Sequence, residues 1–316
     1  AYAARTDSAS LLVWQDGALE YERYWGGRGP DDVSETYSMA KSVTGLAVGC
    51  AVASGAIASV DDAAARYLTE WRGTAKESVT VRQLLQMTSG LHHERFDYSP
   101  GQDPQARGLR TFLGVDIETA ALGFPLERIP GAAFHYNSID TQLLLAVVER
   151  ATGRRYAEHV SDCLWKPLGA QDARLWLDRP GGTPRAYAYF VSRPRDWLRL
   201  GVLVAQGGRF GDRQLLPASW IDAMTTPSPR NPNYGFQAWL GSPAGGQRTY
   251  NRNTGVGAAH SAPYLADDVV FFDGGGGHRV YVVPSRRLVI VRTGAANRPD
   301  WDDAALPNAI LAGLPR

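Results

Sequence analysis

Thr36-Tyr37-Ser38-Met39-Ala40-Lys41-Ser42-Val43-Thr44-Gly45 is the stretch on which the reading of this chain turns. Ser38 and Lys41 form an S-x-x-K, and residues 38–52 follow a helical pattern that Gly55 stops. A spacing of three on a helix puts both side chains on one face, within reach of each other. The helix start adds free backbone N–H groups and the positive end of its dipole, which favour a developing oxyanion. A serine hydroxyl is a weak nucleophile until a neighbour takes its proton, and a lysine does so once its own pKa is lowered. In a chain with 18 serines, such a pair also arises by chance. The scarcity of lysine argues for function. Three lysines stand against 30 arginines, and Lys41 sits in an apolar helix, where a guanidinium cannot give up a proton.

Before this stretch, residues 10–25 read as two strands around an Asp16-Gly17 turn. After it, 59–68 opens with capping residues and predicts a helix, and 80–85 predicts another, ended at Ser89-Gly90. Residues 91–131, rich in Gly, Pro, His and Asp, predict a long surface excursion with at most short helices. Two firm helices follow, 141–152 closed by Gly153 and 195–206 closed by Gly207-Gly208, and then a loop-like 241–262. The last third turns to strands at 269–273, 278–283 and 288–292, the last two joined by a hairpin at Pro284-Ser285. Strands at both ends with helices between them predict an α+β fold. In it an antiparallel sheet is built from both termini and flanked by helices, and a mostly helical lobe is inserted. One domain over 1–316 is expected, with an α/β lobe near 1–60 and 263–316 and a helical lobe near 61–262.

Composition narrows the function. Hydrophobic residues at 44% and charged residues at 21% are ordinary globular values. Thirty-three basic against 32 acidic side chains argue against a nucleic-acid or anionic-membrane partner. Residues 42–60 carry no charge and are long enough to span a bilayer, yet they are rich in Ala, Gly and Ser with only one Leu and one Ile. They predict a close-packed core helix and no membrane span. Cys50 reads as a small buried apolar residue, and two cysteines, 50 and 163, make neither a disulfide framework nor a zinc quartet. The first residues show no secretory signal pattern. The compartment stays open, with a soluble periplasmic or secreted location favoured over a cytoplasmic one. His92-His93-Glu94 is not an H-E-x-x-H and the six histidines lack ligand spacing, so neither metal nor cofactor is expected. No Gly-x-Ser-x-Gly elbow is present, which argues against an α/β-hydrolase.

The segment 36–45 resembles the nucleophile segment of the serine β-lactamase-like hydrolases. Within them it is most similar to the branch of class C β-lactamases, esterases and 6-aminohexanoate-dimer hydrolases. That family sets a tyrosine beside the Ser-Lys pair, and Phe134-His135-Tyr136-Asn137-Ser138 matches its position. Residues 79–91, Trp165-Lys166-Pro167-Leu168-Gly169 and 195–201 match further family segments. The resemblance implies Ser38, Lys41 and Tyr136 as catalytic residues. It also implies a strand edging the site, which in β-lactamases carries Lys-Thr-Gly. Arg292-Thr293-Gly294 is a decoy for it, because it follows the hairpin. The matching stretch runs from Phe271 to His278 and holds Asp273 and four glycines instead. By analogy Gly275, with Gly276 next to it, supplies the second oxyanion N–H opposite that of Ser38. No Gly-Lys-Ser/Thr follows the run, which excludes a phosphate loop.

Ser138, His92, Phe96 and His278 are expected to line the substrate cleft, with His93 and Tyr98 near it. Ser138 stands where β-lactamases have Asn, and the cation of Lys-Thr-Gly is missing, with the negative charge of Asp273 nearby. Both departures point away from penicillin chemistry. The expectation is a serine hydrolase acting on a small-molecule ester or amide through an acyl-enzyme. A β-lactamase or D-Ala-D-Ala peptidase is the alternative, and a non-catalytic binding protein on the same fold is the third. Oligomeric state is not fixed by the sequence.

Overall fold

Ser-Ala-Ser-Leu-Leu-Val-Trp, residues 8–14, carries no charge and ends in four consecutive apolar residues, the mark of a strand covered on both faces. In the computed structural model, which describes residues 1–92, 106–241, 246–250, 257–294 and 300–314, it forms β1 (Ser8–Gln15). The chain turns at Asp16 and Gly17, both at positive φ, into β2 (Ala18–Tyr24). The inserted region gives β3 (Trp239–Leu240), and the C-terminal part gives β4 (Val270–Gly274), β5 (His278–Val283) and β6 (Leu288–Gly294). The sheet order is β2-β1-β6-β5-β4-β3, antiparallel throughout. The N-terminal and C-terminal strands therefore pair at its centre, as the sequence predicts.

Period-two alternation sorts the two faces. Leu12, Val280, Val282, Val289 and Val291 point to one core, which holds α1 (Ala40–Ala53), α2 (Ser138–Thr152) and α3 (Pro194–Ala205). Leu11, Val13, Tyr281 and Ile290 point to the other, closed by Trp301, Leu306 and Leu311. All residues of α1 from Ala40 to Ala51 are buried. Its small residues permit close contacts: a Cβ on Gly49 would lie 2.3 Å from the indole nitrogen of Trp220, and one on Gly45 2.9 Å from the Phe236 carbonyl oxygen. No helix among the described residues is long and apolar enough to cross a membrane.

Four expectations need correction. Residues 59–68 hold only a single 3-10 turn, Ala64–Arg66. Their backbone pairs instead with 79–82, through Ala64 N to Val79 O and Arg82 N to Val60 O. The helix at 80 ends at Leu85, although Thr80 and Gln83 form the capping box the sequence suggests. The 241–262 region is not simply loop, because Gly246–Thr249 and Gly257–His260 pair as antiparallel strands. Cys50 is not a free buried thiol but is disulfide-bonded to Cys163, with the Cα atoms 6.3 Å apart. The described part of 91–131 has the two short helices Arg107–Leu113 and Ile117–Leu122, and it buries Leu109, Ile117 and Phe124.

Candidate active site

Ser38 lies in the 3-10 turn Tyr37–Met39 that leads directly into α1. The turn is entered through Tyr37 at φ 49°, a left-handed conformation that a residue other than glycine rarely adopts. Ser38 is half-buried, while Lys41, one turn on, is only 2% exposed. Nζ of Lys41 lies 2.9 Å from Oγ of Ser38 and donates to the Tyr187 carbonyl oxygen at 2.9 Å. Burial pushes this amine down to about 7, with the charge of Asp273 acting in the opposite sense.

Tyr136 precedes α2 and is held from both sides by one buried residue. The Met87 carbonyl accepts from His135 N at 2.8 Å, and Met87 Sδ accepts from Asn137 N at 3.3 Å. Met87 is itself at φ 57°, so a strained backbone aims the segment. The Tyr136 ring stands 5.4 Å from that of Tyr250 and 5.6 Å from that of Trp239, centre to centre. Lys41 Nζ is 5.0 Å from its centre. Its hydroxyl shares a hydrogen bond with the Ser38 side chain. Burial first, and the charge of Asp273 second, raise the phenol well above its usual range.

β4 brings the glycine run against the nucleophile turn. A Cβ on Gly274 would lie 2.2 Å from the Thr36 carbonyl oxygen, and one on Gly275 3.6 Å from the Tyr37 ring. Only a bare backbone fits so closely at Gly274. The run is pinned from behind. Arg279 Nη1 donates to Gly274 O at 2.8 Å, and Arg292 Nη1 donates to Gly276 O at 2.6 Å. The look-alike triplet Arg292-Thr293-Gly294 thus has a buried structural position: Arg292 also reaches Ser8 Oγ at 2.9 Å and covers the Trp301 ring at 4.5 Å.

Asp273 is not the uncompensated charge the sequence suggests. Arg248 Nη2 donates to Asp273 Oδ2 at 2.9 Å, and Arg279 Nη1 lies 2.5 Å from Asp273 Oδ1. Both arginines also hold Asp303, which accepts from Trp301 Nε1 at 2.9 Å. All four charged side chains are buried, so two cations and two anions cancel in a dry site. None of this network was legible in advance, because its members are drawn together from residues 248, 273, 279 and 303. Met87 and Tyr187 were likewise missed, since they act through backbone carbonyls and, for Met87, a thioether sulfur that no motif marks.

Other expected site residues fall as follows. Ser138 is half-buried at the start of α2, one residue after the cap Asn137. His92 is half-buried, with Nδ1 3.3 Å from Glu127. His278 is 3% exposed and packs on the Tyr37 ring at 5.8 Å, and burial pushes its imidazole down to about 3. Phe96, His93 and Tyr98 lie outside the described residues. Among the described residues, Cys50, His159 and Cys163 form a group with metal-ligand proximity, but the two sulfurs are bonded to each other.

Comparison with known proteins places this geometry. The 6-aminohexanoate-dimer hydrolase of Paenarthrobacter ureafaciens is 28% identical over 226 residues, covering 69% of this chain and 57% of that protein. Esterase EstB of Burkholderia gladioli is 32% identical over 191 residues, covering 53% of this chain and 47% of that protein. The chain thus spans about half the length of these curated relatives. A penicillin-binding protein homologue from Caulobacter crescentus shares the fold with a TM-score of 0.72 at 18% identity, over 96% of this chain and 92% of that one. The sequence profile of the beta-lactamase family matches residues 2–314, and the chain belongs to that family.

Proposed function

We propose that the chain is a serine hydrolase that opens esters or linear amides through an acyl-enzyme on Ser38. The observation that carries this reading is the 2.9 Å contact between Lys41 Nζ and Ser38 Oγ, made by an amine that burial has brought to about 7. Near neutrality a large fraction of Lys41 is uncharged and accepts the Ser38 proton as Oγ adds to the carbonyl carbon. The electron pair displaced onto oxygen is held by the N–H groups of Ser38 and Gly275, with Gly276 beside them. Collapse reforms the carbonyl and expels the alcohol or amine. Tyr136, a protonated phenol hydrogen-bonded to Ser38, passes that group a proton and recovers one from Lys41. Water then takes the alcohol's place, the same groups run in reverse, and the acid leaves.

The ester and linear-amide preference is supported by the names of the two relatives and by β4, which carries no Lys-Thr-Gly. Arg248 does not fill that role, because it is 3% exposed and engaged by two carboxylates. The same reading takes residues 1–60 with 263–316 as one lobe and 61–262 as the other, with Ser38 at their junction. The Cys50–Cys163 disulfide favours an oxidising compartment. The test is a fluorophosphonate probe followed by peptide mapping. Labelling of Ser38 alone, with activity lost in Ser38→Ala, is expected. An adduct on another serine, or near wild-type turnover by the variant, overturns the reading.

A further inference from the structure

Among the described residues, four of the ten large apolar side chains left exposed fall on segments next to the nucleophile or around Arg185. Tyr37 is 46% exposed and Trp176 52%, while Leu113 and Val115, at 55% and 48%, flank Gly114. Gly114 and Trp176 share Arg185 as a neighbour. A Cβ on Gly114 would lie 2.3 Å from its Nη2, and its Cζ stands 4.5 Å from the centre of the Tyr189 ring and 5.9 Å from that of Trp176. The rings of Trp176 and Tyr189 are 5.2 Å apart, and the phenols of Tyr189 and Tyr37 are close enough to act on one another electrostatically. Exposed apolar side chains scattered singly need no explanation, whereas a contiguous cluster beside a reactive group marks a contact surface.

Three features tie this shelf to the reacting centre. Tyr37 immediately precedes Ser38. Tyr189 lies two residues after Tyr187, whose carbonyl holds the Lys41 amine at 2.9 Å. Both Tyr37 and Tyr189 sit at positive φ, 49° and 62°, which a tyrosine rarely adopts without an imposed constraint. The shelf also has a direction. Lys41 Nζ is flanked by the Tyr136 ring at 5.0 Å and the Tyr187 ring at 5.7 Å, which belong to different segments. In the proposed mechanism the leaving group meets Tyr136, which leaves the side of Tyr187 and Tyr189 to the acyl group.

Its chemistry follows from the charges beneath it. Arg185 has no ion-pair partner within 4 Å among the described residues; ring faces cover it, and the half-buried Glu35 carboxyl lies near enough to feel its charge. The surface offered to a ligand is therefore ring and methyl, with the 7% exposed Arg185 guanidinium lying beneath ring faces rather than presented to an anion. Building on the assignment of Ser38 as nucleophile, we propose that the Tyr37–Tyr189–Trp176 shelf is an acyl-group subsite that selects uncharged arylalkyl acyl chains.

The test compares kcat/KM for the p-nitrophenyl esters of hydrocinnamate, acetate and monoanionic succinate in the wild type and in Trp176→Ala. The hydrocinnamate-to-acetate ratio is expected to exceed unity in the wild type and to fall at least about fivefold in the variant, the value of one lost aromatic contact. An unchanged ratio, or a preference for the succinate ester over the hydrocinnamate ester, overturns the proposal. Binding of hydrocinnamamide to Ser38→Ala protein, followed by ligand-observed NMR, reads the shelf without turnover. Saturable binding that weakens when Trp176→Ala is added supports the subsite, and equal binding with and without Trp176 removes it. This second measurement decides the subsite even where absent hydrolysis has sunk the assignment of Ser38.

Discussion

The charge of Asp273 acts on the amine of Lys41 against the effect of burial, and both oxygens of that carboxylate are occupied by arginines. Lys41 is therefore poised by two opposed influences, of which burial is the larger. The base in our reading is the neutral amine, so kcat/KM for an ester should rise with pH through an apparent pKa of about 7 and be lost below it. A pH–rate profile with constant ionic strength checks this. An acid limb near the ordinary carboxylate range would assign the base elsewhere.

Replacing Lys41 by arginine keeps the charge and removes the ability to lose a proton near neutrality. Lys41→Arg should lower kcat by at least ~10³, by analogy with deletions in other nucleophile–base sets. Native circular dichroism with retained turnover would show that the residue supplies charge alone.

Asp273→Asn leaves Arg248 and Arg279 with one carboxylate between them in a buried site. Breaking a buried ion pair in this way costs roughly 3–5 kcal/mol, to be read as a lower urea midpoint at unchanged slope. In the folded fraction, loss of the charge that opposes burial should move the acid limb of the rate profile to lower pH. A limb that moves upward would contradict the sign assigned to Asp273.

Gly274→Ala should misplace the nucleophile turn, since the new methyl would stand 2.2 Å from the Thr36 carbonyl oxygen. A shift on the order of 1 Å near the reacting atoms is worth about 10² in rate. Steady-state kinetics should show a fall in kcat of that order, and wild-type turnover would mean that β4 and the turn are not in register contact.

Short p-nitrophenyl esters should be turned over with higher kcat/KM than nitrocefin or benzylpenicillin. The cation that meets a β-lactam carboxylate is missing from β4, and a charged hydrogen bond is worth roughly 1.5–3 kcal/mol, or about one to two powers of ten. Repulsion by Asp273 is the smaller part of this difference, because its charge is paired with Arg248 and Arg279. Parallel rates at one pH decide the ranking, and a higher value for nitrocefin would reverse it.

Local patterning carried much of the fold into view. The Asp16-Gly17 hairpin, the unbroken small-residue run of α1 and the Gly153 stop of α2 each encode their structure within a few residues. The helix expected at 59–68 failed because its backbone groups are claimed by residues 79–82, a pairing that no local periodicity displays. The Cys50–Cys163 bond spans a separation of 113 residues, and the Arg248–Asp273–Arg279–Asp303 cluster joins segments that only the closed sheet brings together. The candidate set Ser38, Lys41 and Tyr136 was visible because two of them share one helix turn and the third carries a family signature. Tyr187 and Met87 were not, since what they offer is backbone carbonyls and, from Met87, a sulfur that no motif marks.

The bond between Cys50 and Cys163 also gives the chain a covalent ring. Tyr136 lies inside that ring, while Ser38 and Lys41 lie on the tail that leads into it. A protease that cuts once anywhere between the two cysteines opens the ring but frees no fragment. The nicked molecule would still migrate at full mass on a denaturing gel without reductant and separate into two pieces only with it. Damage of that kind would leave Tyr136 tethered to the segment that carries Ser38.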